Sequence, residues 1–171
     1  MPTKSPKELF LLLLSEMKQN QEKTTKFFQE ILPFAQEQEI KQALEARIFV
    51  HDKMLATIDK CFQLIGEQPV KLTNKLHDIF VEDFTRELGE IQQPVLRHLF
   101  IAAKLNHLIH FRLAELKVLV KMADITNHFG VGLLLETVMA DQLALIERNE
   151  RIIKNLVEIK VLEKVAQRVA A

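Results

Sequence analysis

The stretch Ile101–Ile125, IAAKLNHLIHFRLAELKVLVKMADI, constrains the fold more than any other part of the chain. It contains no glycine or proline, and its apolar residues fall on nearly every side of a helix. Such a helix is stable in water when other helices surround it, so this one belongs at the centre of a bundle. Arg112 and Glu115 stand in its middle. An unpaired charge removed from water costs more than a domain can tolerate, so these groups must be paired or put to use.

The rest of the sequence supplies the neighbours. A first helix is expected over about 5–32. Ser5 is its N-cap, Pro6 occupies the first helical position, and Glu8 three residues on completes a capping box. Its apolar line, Phe10, Leu13, Leu14, Met17, Phe28 and Ile31, is broken by Gln21 and Thr24, and Pro33 stops it. A second helix is expected over about 38–65, with Ile40, Ala43, Leu44, Met54, Ile58, Phe62 and Ile65 on one face. Arg47 and His51 interrupt that face near its midpoint, and Gly66 with Pro69 ends the helix. A connector follows, with a short amphipathic helix over about 72–88 whose apolar side is Leu76, Ile79, Phe80, Phe84 and Leu88. The third long helix covers about 94–123, DITNHFG makes the turn, and the fourth runs over about 129–169. Leu134, Leu135, Val138, Leu145, Ile152, Leu156, Ile159 and Leu162 form its apolar line. No alternating run marks a strand. The expectation is one all-α domain over 1–171, an up-down four-helix bundle with a long crossover.

Composition narrows the function. Lys plus Arg and Asp plus Glu each total 23, so the zero net charge argues against a nucleic-acid partner and gives no reason for attraction to a membrane. The longest early apolar run, Phe10–Leu14, is too short to span a bilayer, and no small-residue cleavage site follows it. One cysteine, Cys61, excludes an intramolecular disulfide and fits a reducing cytoplasm. Set between Ile58 and Phe62, it reads as a small core hydrophobe. No phosphate-binding glycine loop, nucleophile elbow or cysteine pair is present.

Several segments in this order resemble a known family: KELF near the start, EIKQALE and FQLIGEQP on the second helix, FIAAKLNHLIHFRLAELKVLVKMADI on the third and GLLLETVMADQ on the fourth. Over roughly residues 7–156 the chain resembles the bacterial ferritin-like proteins typified by YciE and YciF, a stress-associated family of unknown function. The resemblance implies a ferritin-like bundle, a homodimer and a cytoplasmic bacterial setting. It also implies a dinuclear iron or manganese centre, and here the sequence departs from the pattern. The expected first-helix carboxylate falls at Gln21. The second-helix His and Glu fall at Arg47 and Val50. The third-helix Glu-His-aromatic-Glu run falls on Ile109, His110, Phe111 and Arg112. The fourth helix keeps Asp141, with Met139 and Ala140 in place of neighbouring acids.

Two divalent ions in a bundle core need about four carboxylates, whereas arginine cannot ligate and brings positive charge of its own. The expectation is therefore a core without metal or other cofactor, in which Arg47 and Arg112 are answered by Glu115, Asp141 or Glu136, in a non-enzymatic structural or interaction protein. Two rivals stand beside it. One is an iron- or manganese-binding oxidoreductase or catalase-like protein using His51, His107, His110 and Asp141; His107 and His110 share a face at i, i+3 spacing. The other is a helical module that binds a protein partner. His107 and His110 are otherwise expected to be hydrogen-bonded packing residues on an apolar helix. His77, His98 and His128, near helix ends or in the connector, are expected to be solvated. ERNERIIKN reads as the solvated side of the fourth helix.

Overall fold

The computed structural model describes residues 3–35, 38–73 and 75–169, with side chains described as far as residue 158, Glu39 excepted. Its helices are α1 (Pro6–Ile31), α2 (Gln38–Ile65), α3 (Leu76–Glu90), α4 (Pro94–Ile125) and α5 (Phe129–Val169), with a short 3-10 turn over Leu32–Phe34. Among the described residues there is no strand.

Local chemistry sets the helix ends. The Glu8 N–H donates to Ser5 Oγ at 3.2 Å, and the Glu8 carboxylate accepts from the Lys4 N–H at 2.7 Å. The return bond of the capping box thus reaches one residue further back than the sequence pattern implies. Gly66, at φ +69°, turns the chain out of α2 in a left-handed conformation that glycine adopts without strain. Asn127, at φ 61°, does the same between α4 and α5, a position asparagine tolerates better than most residues. The crossover helix ends at Glu90, slightly beyond Gly89.

Two apolar clusters define the direction of every helix. At one end Phe10, Leu14 and Met17 pack with Met54, Ile58, Cys61 and Phe62, with Leu116–Ala123 of α4, and with Val131, Leu135 and Val138. At the other, Phe27, Phe28 and Ile31 pack with Ile40 and Leu44, with Ile101–Leu108, and with Ile152 and Leu156. Helix α1 is therefore antiparallel to both α2 and α4, while α2 and α5 are antiparallel to each other. The connector runs the length of the bundle so that α4 can start again from the far end. This is the ferritin-like four-helix layout with one crossover.

The connector stripe divides. Phe84 and Leu88 are buried, and Phe84 meets Phe27 edge-on at 4.7 Å and Phe100 at 5.2 Å. Leu76 and Ile79 stay exposed. Helix α4 likewise has a wet side: Ala103, His107, His110, Ala114, Lys117 and Lys121 are all exposed. By length and composition Phe129–Glu158 is apolar enough to cross a membrane. Here one side of it lies in the bundle core, where Gln142 and Asn149 are buried with its apolar residues.

Candidate functional site

Between the two apolar clusters lies a buried polar layer. Helix α1 contributes Gln21 and Thr24, α2 contributes Arg47 and His51, α3 contributes His77, α4 contributes Arg112, and α5 contributes Gln142 and Asn149, all buried. Except for His77, at the start of α3, each comes from a break in an otherwise apolar line, because core-facing positions recur every three to four residues and these side chains occupy the central ones.

One chain of contacts is well defined. Arg112, 1% exposed, donates from Nη1 to Glu115 Oε2 at 2.6 Å and from Nη2 to Thr24 Oγ1 at 3.3 Å. The Thr24 hydroxyl donates to the Asn20 carbonyl at 2.7 Å and lies 2.6 Å from His77 Nε2. A hydroxyl has one proton and guanidinium can only donate, so His77 must donate from Nε2. That tautomer leaves Nδ1 as a bare lone pair, in keeping with its having no hydrogen-bond partner. Burial, then the nearby charges of Arg112 and Lys23, push the His77 ring down to about 4. Burial and the positive fields of Arg112 and Arg47 hold His51 well below its ordinary value, so both rings are neutral at pH 7.

Arg47 is placed differently. It is 2% exposed, and among the described residues its hydrogen bond is a long 3.5 Å contact from Nη1 to the Leu105 carbonyl. Its Nη2 has no partner among the described residues. Burial, with repulsion from Arg148, pushes the guanidinium down to about 9, which leaves it charged at neutral pH. Among the described residues Gln21 has neither amide atom paired, and Arg112 Nε, His51 Nδ1 and Gln142 Oε1 are also unpartnered. Around this layer Asn149 donates to the Ala102 carbonyl at 2.9 Å, and Ile109, Leu113, Leu145 and Ile146 form a small apolar cluster with Val50 and Met139.

Several sequence expectations need correction. His77 and His98, expected in solvent, are 6% and 1% exposed, because the crossover helix lies across the bundle and the start of α4 is covered. His107 and His110, expected to pack inside, lie on the exposed side of α4; His110 Nδ1 is 2.9 Å from the Asn106 carbonyl. Of the acids offered to the arginines, Glu115 pairs with Arg112, whereas Asp141 binds Lys53 at 2.7 Å and Glu136 is exposed. Cys61 is fully buried and its thiol is pushed up to about 12 by burial, the behaviour of a core hydrophobe. A cleft of about 340 Å³ between α1, α3 and α4, lined by Asn20, Leu76, His77, Phe80, His107, Leu108 and Phe111, reaches the layer's edge at His77.

The donor set does not fit a dinuclear metal centre. Two guanidinium groups, three uncharged amides, two imidazoles on different helices and one carboxylate already held by arginine supply too few anionic ligands and the wrong sign of charge. Among the described residues no group of three or more His, Cys, Asp or Glu side chains is placed to hold an ion.

Fold and layer together define a helical-bundle protein whose core is polar and cationic at its centre. The chain belongs to the family described as a domain of unknown function, DUF892, whose model matches residues 5–162. The structure is similar to the Escherichia coli stress protein YciF, at 16% identity and a TM-score of 0.86, covering 91% of this chain and 99% of that one. It is also similar to YcfI, a proposed structural protein from Rhodopseudomonas palustris, at 18% identity and a TM-score of 0.83, covering 87% of this chain and 95% of that one. No curated protein sequence matches the chain. The structural likenesses establish the shared fold, and the resemblance read from the sequence holds.

Proposed function

We propose that this chain is a ferritin-like bundle without a metal centre, serving as a structural or interaction protein in a stress-related, cytoplasmic setting, and not as an enzyme. The observation that carries the reading is the placement of Arg47 and Arg112 at the middle of the core, where bundles of this kind set carboxylates around metal ions. A divalent ion there would add charge to a layer that already holds more cations than anions.

The rival centre built on His51, His107, His110 and Asp141 draws no support from their positions. His51 is inside, the other two histidines are outside, and Asp141 is committed to Lys53. The test is elemental analysis of protein purified without chelator. Well under one equivalent of iron, manganese or zinc per chain is expected, and two tightly held equivalents would overturn the reading.

A homodimer belongs to the same proposal. Phe111, Val118 and Ile125 recur every seven residues along α4 and are 43%, 52% and 63% exposed. Phe129 and Leu133, both exposed, carry apolar surface onto the start of α5. An apolar stripe of this length is uncommon on a monomer, and a closed two-fold pairing is the usual way for identical chains to cover one.

A further inference from the structure

The polar layer is unbalanced in a way that hydrogen bonding alone does not resolve. It holds two buried guanidinium groups, and Glu115, its one carboxylate among the described residues, is taken by Arg112 at 2.6 Å. His51 and His77 carry no charge at pH 7. Among the described residues the charged group that acts on Arg47 is Arg148, which repels it. Among the described residues one unit of positive charge is therefore left in the core without a counter-charge, which is unfavourable in a medium that screens poorly. Arginine does not escape by deprotonation as lysine does.

The same residues leave N–H groups without acceptors. Arg47 Nη2, Arg112 Nε and the Gln21 amide nitrogen are buried and without a partner among the described residues. They come from three helices of the same layer. His51, one turn beyond Arg47 on α2, lies within the field of both guanidinium groups. Buried water can satisfy such donors, yet it cannot neutralise charge.

We propose that the centre of the bundle binds a small monovalent anion of the halide kind, seated against Arg47 and reached by the free N–H groups of Gln21 and Arg112. This rests on the reading of the centre as metal-free. The single uncompensated charge sets the valence. The flanking side chains, Gln21, Arg47, His51 and Arg112, are all at or below 3% exposure, which sets the size. Sulfate and phosphate bring more charge and more volume than such a layer accepts. The cleft between α1, α3 and α4 reaches the edge of the layer at His77, which Thr24 joins to Arg112 by hydrogen bonds. Weakly hydrated halides lose less on entering a dry site than multiply charged oxyanions do.

The test is thermal unfolding of the full chain at constant ionic strength as sodium bromide replaces sodium gluconate, with bromide located by anomalous diffraction from wild-type crystals. A ligand that binds only the folded chain raises the melting temperature saturably, here on the order of 5 °C once bromide is well above its dissociation constant. A bromide peak within hydrogen-bond distance of Arg47 is expected, and Arg47→Met, which removes the charge and keeps most of the volume, should melt independently of bromide. A flat wild-type response, an equal response in Arg47→Met, or density at Arg47 that fits water alone would overturn the anion site. The diffraction readout stands even if Arg47→Met does not fold. Metal analysis separates the two claims: absence of both metal and bromide rejects the anion alone, whereas tightly held iron or manganese in the layer rejects the metal-free reading beneath it.

Discussion

Arg112→Ala is the perturbation whose consequence follows most directly from the geometry. The substitution breaks a 2.6 Å ion pair in which Arg112 is 1% exposed and the Glu115 side chain 21%. Breaking a fully buried pair costs about 3–5 kcal/mol, because the remaining charge is left without a partner. Glu115 is not fully buried, and burial already raises its pKa, so it takes up a proton more readily once Arg112 is gone. That reduces the electrostatic part to about 2 kcal/mol. Loss of the packed arginine stem adds about 1–2 kcal/mol. Relief of repulsion on His51 returns part of this, so the net expectation is about 3 kcal/mol. For a chain of this size that lowers the melting temperature by roughly 6–12 °C. The chain has no Trp or Tyr, so far-UV circular dichroism of its helices is the natural assay. Arg112→Met, which keeps the stem, should lose roughly half as much, and Arg112→Met with Glu115→Gln should recover to within about 1 kcal/mol of wild type. An Arg112→Ala protein melting within about 1 °C of wild type would refute the ion pair as a structural element.

Other expectations concern pH, packing and assembly. His77 titrates at about 4 in the folded chain against an ordinary 6.5, so as pH falls through that interval the unfolded chain takes up a proton that the folded one refuses. Stability is full above pH 6.5 and falls by roughly 3 kcal/mol at pH 4 from His77 alone, with His51 adding in the same direction. Urea midpoints measured across that range should fall less steeply for His77→Gln, and an unchanged slope would remove His77 as the source. Phe84→Ala should cost about 3 kcal/mol or more, since the ring is fully buried between Phe27 and Phe100; a loss under 1 kcal/mol in urea titration would mean that α3 is not docked on the bundle. Light scattering at micromolar concentration should give about twice the 19.8 kDa chain mass, and Val118→Glu should return it to monomer; wild type running as a monomer would reject the dimer.

The helices were legible in the sequence because their signals are local. The Ser5 cap, Pro33, Gly66 and the DITNHFG turn fix ends to within a few residues, and the spacing of Phe10, Leu14 and Met17 or Met54, Ile58 and Phe62 names the buried faces. The polar breaks in those faces, Gln21, Thr24, Arg47, His51 and Arg112, marked the central layer correctly. The histidines outside that pattern were harder. His77 belongs to a helix whose resting place on the bundle is decided by Phe84 and Leu88 meeting residues far away in sequence. His107 and His110 did carry a signal: with Ala103, Ala114, Lys117 and Lys121 they trace one wet stripe at helical spacing, hidden by the apolar residues crowding α4. Charge pairing was the least legible, since Glu115, Glu136 and Asp141 are equivalent as letters. Only side-chain placement gives Glu115 to Arg112 and leaves Arg47 without an acid among the described residues.

The central claim is that the layer cannot accept divalent metal, and offering the metal tests it most directly. Anaerobic iron(II), and separately manganese(II), titrated calorimetrically into chelator-treated protein should show no saturable binding at micromolar concentration, because the buried Arg47 and Arg112 already bring positive charge to the layer and cannot ligate. Saturable uptake of two equivalents per chain, abolished by His51→Ala, would contradict the account.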